Sequence, residues 1–145
     1  MEILTAGRSI ADEIQLSLAP VFLLTAIAAF LTVLTSRLGR AADHARLVAA
    51  RARHETATAD DAAAFAALRR RIDLLRRSIG CTVVAAFIVC LVIMLIFFGE
   101  FTTLPISAVV GGLFMLTMVM LMLGFGFFFV EIRLSTQQWN REFWD

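Results

Sequence analysis

The chain has 145 residues, 60% of them hydrophobic, with a mean hydropathy of +0.84 and a formal net charge of +1. Soluble domains carry about 45–50% apolar residues, so this composition excludes an ordinary soluble globular protein. The near-neutral total also hides a strong asymmetry along the chain and says nothing by itself about partners.

The apolar excess is gathered into three uncharged runs, 23 residues over 14–36, 22 over 78–99 and 30 over 101–130. A helix needs about 20 apolar residues to cross a hydrocarbon core roughly 30 Å thick. Open strands would leave backbone groups unpaired in lipid, so helices are the physical solution. The fold class read from this is all-α: one integral membrane domain over 1–145, with three transmembrane helices at about 14–36, 79–98 and 106–130.

The segment before the first run carries Glu2, Asp12 and Glu13 against Arg8. That is the wrong charge for the n-region of a secretory signal, so the run is read as a retained span. Its start falls near Ile14 or Leu16, where Pro20 would sit in or close to the opening turn.

Beyond the first span only Gly39 interrupts helix-forming sequence, so the helix is expected to continue past the membrane. Leu38, Ala41, Ala45, Val48 and Ala52 repeat at spacings of 3 and 4. Phe65, Leu68, Ile72, Leu75 and Ile79 repeat in the same way on the returning side. Two such seams predict an antiparallel helical hairpin over about 37–78, of coiled-coil type, extending the first and second spans. Thr58 and Asp61 resemble a capping box that opens the second arm.

All thirteen basic residues are arginines, and ten of them lie between Arg37 and Arg77. Arginines beside spans stay in the cytoplasm, which puts the hairpin and C-terminus inside and the N-terminus outside. The second span leads through Gly99 and Pro105, a short outside turn, into the third. The tail over 131–145 carries Ile132, Thr136, Trp139 and Phe143 at helical spacing. It would dock on the hairpin as a third helix or lie at the headgroups.

The patterns Leu34-Thr35-Ser36-Arg37-Leu38, Leu68-Arg69-Arg70-Arg71-Ile72 and Leu74-Leu75-Arg76-Arg77, with Val130-Glu131-Ile132-Arg133-Leu134-Ser135, are similar to those of domain-of-unknown-function family 2721. The resemblance runs from the Leu18-Ala19-Pro20 stretch to the tail. It implies three spans in a bacterial inner membrane and supplies no catalytic residues.

Candidate chemistry is sparse. Cys81 and Cys90, nine residues apart on one helix, lie roughly 13 Å apart and too far for a disulfide. His54 with Glu55, Asp60 and Asp61 offers metal-ligand types at the hairpin tip, but without the spacing of a zinc motif; solvated polar residues at a turn are the simpler reading. No metal or other cofactor is therefore expected. Arg69, Arg70, Arg71, Arg76 and Arg77 form a juxtamembrane cluster that sets topology and would attract anionic lipid headgroups. Interleaved acids argue against nucleic acid as a partner. Glu131 is expected to pair with Arg76, Arg77 or Arg133.

The three runs hold no Asp, Glu, Lys, Arg or His, and no nucleophile–base pair or glycine-rich phosphate loop is visible, so neither a self-contained pump nor an enzyme is expected. Ala108, Gly111, Gly112, Gly124 and Gly126 give the third span small surfaces for helix packing. The reading is association in the membrane, as a homo-oligomer or an accessory subunit, with membrane lipids around it. The alternative is a homo-oligomeric ion channel with an acidic outer mouth at Glu100.

Overall fold

The computed structural model describes the backbone over residues 2–54, 59–99 and 107–144, and the side chains over 18–50, 64–99 and 107–135. Three long helices make up the described chain: α1 (Glu2–His54), α2 (Ala59–Gly99) and α3 (Ser107–Trp144). All three contain stretches long and apolar enough to cross a membrane, within Leu18–Ala50, Ala64–Gly99 and Ser107–Ser135. At 1.5 Å per residue, even the shortest helix runs to about 57 Å, well beyond a roughly 30 Å hydrocarbon core. Each therefore has an apolar length and a polar extension.

α1 differs from expectation at its start. It begins at Glu2, and Pro20 lies deep in its interior, where its side chain is buried. The sequence before Pro20 contains no other proline and only Gly7 to break a helix. Proline costs a helix one N–H, a loss that neighbouring helices and local adjustment make tolerable in a membrane helix.

α2 is the central helix and packs along both α1 and α3. Burial follows a seven-residue grid. On α1 the buried positions are Pro20, Ile27, Leu34 and Ala41; on α3 they include Thr117, Gly124 and Glu131. α2 carries two such rows, Leu68–Leu75–Thr82–Val89 and Ser78–Ala85–Val92, as a helix flanked on both sides requires. A sustained seven-residue period is the geometry of helices crossing at about 20°.

Two apolar clusters lie along this seam. One joins Ile27, Ala85, Val89 and Leu121; the other joins Leu34, Ala41 and Leu75, with Leu38, Ile72, Ile79, Phe30 and Phe128 against it. Five of the ten predicted hairpin-seam residues fall in the second cluster: Leu38, Ala41, Ile72, Leu75 and Ile79. Phe65 instead stands exposed, and the side chain of Ala52 lies outside the described residues. α1 and α3 meet through aromatic rings, Phe30 stacking on Phe125 at 4.2 Å between centroids and meeting Phe128 edge-on at 5.6 Å.

The buried polar side chains inside the apolar length, Ser78, Thr82 and Thr117, are each partnered through the backbone. Ser78 Oγ donates across to the Gly124 carbonyl at 2.7 Å, while Thr82 Oγ1 donates to the Ser78 carbonyl at 2.8 Å. Thr117 Oγ1 donates to the Leu113 carbonyl on its own helix. Among the described residues no buried side-chain nitrogen or oxygen lacks a partner. Gly124 is required where it stands. A Cβ there would lie 2.9 Å from Thr82 Oγ1, a hydroxyl already held by its own hydrogen bond.

Candidate functional site

The register that brings Ser78 to Gly124 fixes what happens one heptad further on. α2 and α3 run antiparallel, so seven residues back from Ser78 is Arg71 and seven residues on from Gly124 is Glu131. These two meet. Arg71 Nη2 donates to Glu131 Oε1 at 3.0 Å, with Nε of the same fork at 3.4 Å. From α1, Arg37 Nη1 donates to Glu131 Oε2 at 2.9 Å. Arg71 Nη2 also donates to Ser135 Oγ at 2.9 Å, one turn along α3.

Glu131 is 1% exposed, whereas Arg37 and Arg71 are 35% and 24% exposed. One carboxylate thus ties all three helices together, with each of its oxygens accepting from a different helix. A buried ion is expensive unless its hydrogen-bonding capacity is filled, and charge-assisted bonds to guanidinium forks fill it best. The Arg37 guanidinium also sits over the Phe128 ring, 5.3 Å from its centroid, a cation–π contact that covers its apolar side.

This arrangement corrects the pairing expected for Glu131. Arg76 and Arg77 fall off both buried rows of α2 and are exposed, as is Arg133, two residues from Glu131 and so on another side of α3. The seven-residue spacing from Gly124 to Glu131 is the signal that would have found Arg71. It is visible only once the register of α2 against α3 is known.

The arginine cluster is therefore split. Arg71 turns inward to Glu131, while Arg69, Arg70, Arg76 and Arg77 are exposed. Beside the Glu131 triad opens a pocket of about 510 Å³. α1 lines it with Arg37, Arg40 and His44, which share one face at spacings of three and four; Ala41 and Leu68 form apolar wall, and Arg71, Glu131 and Ser135 close the remaining side. Sequence reasoning passed over Arg40 and His44 because neither belongs to a recognisable motif.

The small residues of α3 divide in the same way. Gly124 packs against Ser78, Cys81 and Thr82, whereas a Cβ at Gly111, Gly112 or Gly126 would meet nothing within 4 Å among the described residues. Ala108 is exposed beside them. Large side chains on the same helix are open too, among them Met115, Met122 and Phe129. Cys81 and Cys90 are free thiols. Glu100 lies outside the described residues, as do the side chains of His54, Glu55, Asp60 and Asp61 and most of the tail stripe. The described residues contain no group of three or more metal-ligating side chains.

A family model described as "Protein of unknown function (DUF2721)" matches residues 17–141, most of the chain. No curated protein and no solved structure matches.

Proposed function

We propose that this chain, which belongs to the DUF2721 family of proteins of unknown function, is a bacterial inner-membrane protein that works by helix–helix association, as a homo-oligomer or as an accessory subunit of a membrane complex. Its N-terminus lies outside and the arginine-bearing extensions of α1 and α2 lie in the cytoplasm, in keeping with ten arginines between the first two apolar runs. The reading is non-enzymatic.

The observation that carries it is the open face of α3. Among the described residues, Gly111 and Gly112 have no neighbour within reach of a Cβ, although a third glycine, Gly124, is used within the chain. In lipid, apolar area alone does not drive helices together. Small residues that let backbones approach do so instead, and Ala108 with Gly112 forms a small-xxx-small pair. A three-helix layer with α2 at its centre leaves that face to lipid or to another protein.

Native mass spectrometry of the full chain in mild detergent tests this. The expected result is a defined higher mass that Gly111→Leu with Gly112→Leu reduces, while helical content and unfolding temperature stay unchanged. A strictly monomeric species with no co-purifying subunit would overturn the proposal.

A further inference from the structure

Among the described residues, the pocket beside Glu131 has more positive charge than its own acids neutralise. Arg37, Arg40 and Arg71 there face a single described carboxylate, a net of +2 with His44 counted as neutral. The other described acid nearby on α1, Asp43, is exposed and turned to Arg46 at 3.5 Å. Arg37 and Arg71 are held rigidly by Glu131, so their forks are pre-set; Arg40 makes no hydrogen bond or ion pair among the described residues. Arg40 and His44 lie on the same face of α1 as Arg37 and reach the same space.

We propose that this pocket binds a phosphate ester group, with Arg40 as the principal donor, His44 beside it and Arg37 contributing the N–H groups it does not give to Glu131. Guanidinium forks match the oxygens of phosphate in geometry and charge. The volume of about 510 Å³ suits a headgroup-sized ligand. The position favours a lipid as the source, because the pocket opens directly beyond the apolar layer of Leu34, Leu75 and Phe128. Basic pockets between membrane helices at their cytoplasmic ends are where anionic headgroups lodge. The proposal rests on the membrane placement given above only for this lipid source, and does not depend on assembly.

Full-length protein is tested in two arms. In the first, nanodiscs of phosphatidylcholine are compared with nanodiscs containing phosphatidylglycerol or cardiolipin, reading retained lipid by native mass spectrometry. In the second, detergent-solubilised protein is titrated with inorganic phosphate, reading thermal stabilisation. Arg40→Gln with His44→Gln removes donors that are not part of the Glu131 triad. Arg69→Gln with Arg70→Gln serves as a control on the exposed surface.

Loss of about tenfold in affinity for anionic lipid in the pocket variant, with the control within about twofold, supports the proposal with a lipid ligand. The same pattern confined to the phosphate arm supports it with a soluble phosphate. Equal losses in the two double variants would mean non-specific attraction to a basic surface and overturn it. Absence of binding in both arms by a protein that unfolds cooperatively would overturn it as well.

Discussion

Along the apolar length, around Ile27, Ala85, Val89 and Leu121, the helices meet through medium and small side chains and a few hydroxyls bonded to backbone. At the polar end, the corresponding position on the same seven-residue grid is filled by Glu131 between Arg37 and Arg71. The grid does not change between the two regions; the chemistry that occupies it does. Along the apolar length, close approach at Gly124 positions the helices. Beyond the apolar layer, a single satisfied charge joins all three.

The sharpest way to break this comparison is to remove the charge that the polar end is built on. Glu131→Gln leaves two guanidinium groups facing an amide that can accept from them through only one oxygen. Removing one partner from a buried ion pair costs about 3–5 kcal/mol, and here two pairs lose the same partner. Chemical unfolding of the detergent-solubilised protein should show a loss of that order. A loss under about 1 kcal/mol would mean that Arg37 and Arg71 are solvated well enough not to need the carboxylate. Exchanging Glu131 for Met, with Arg37 and Arg71 replaced by apolar residues, is expected to recover most of that stability while leaving Arg40 as the pocket's one arginine.

The apolar length has its own point of failure. Gly124→Ala would drive a Cβ to 2.9 Å from Thr82 Oγ1. Overpacking of this kind costs about 1–3 kcal/mol. Gly111→Ala, where nothing lies within 4 Å among the described residues, should not destabilise the single chain. The pair of variants separates glycine needed within the chain from glycine available for a neighbour. Equal destabilisation by both would erase that distinction.

These two regions were unequally legible in the sequence. At the polar end, apolar residues are scarce enough for spacing to be informative, and Leu38, Ala41, Ile72, Leu75 and Ile79 could be picked out one by one. Within the spans nearly every position is apolar, so Val89, which is fully buried, looks no different from Val83, which is half-exposed. Only polar or tiny residues carry a signal there, and Ser78, Thr82 and Thr117 went unread because hydroxyls that bond to a backbone carbonyl leave no pattern. Glu131 was visible but its partners were not. Choosing Arg71 over Arg76 or Arg77 needs the register of α2 against α3, set by the Ser78–Gly124 contact 46 residues apart in the chain.

That contact should also be measurable by itself. Ser78→Ala deletes the bond to the Gly124 carbonyl but keeps the small side chain that the close approach requires. Interhelical hydrogen bonds in membrane proteins average about 0.6 kcal/mol, well below their nominal strength, because carbonyls find other partners when the helices separate. A loss near that value is expected, smaller than for Gly124→Ala. If Ser78→Ala proved the more damaging, register would be set by the bond and not by the space.

Among the polar contacts, the smallest loss should come from the ion pair that most resembles the Glu131 triad in residue types. Asp43 and Arg46 lie on α1 near Arg37, but they are 72% and 83% exposed and 3.5 Å apart. Both groups keep most of their hydration whether paired or not, and holding two side chains in one geometry offsets the attraction. Asp43→Asn is therefore expected to change unfolding by no more than about 0.5 kcal/mol, and to lose even that at high salt. Glu131→Gln should keep nearly its full effect at the same salt concentration, because a pair whose carboxylate is 1% exposed is screened far less than a surface pair. Salt dependence thus distinguishes the two acids where sequence cannot, since each simply stands close to arginines in the chain. If Glu131→Gln lost its effect in salt as Asp43→Asn does, the triad would be a surface pair, and the polar end would have to be held by Leu34, Ala41 and Leu75 alone.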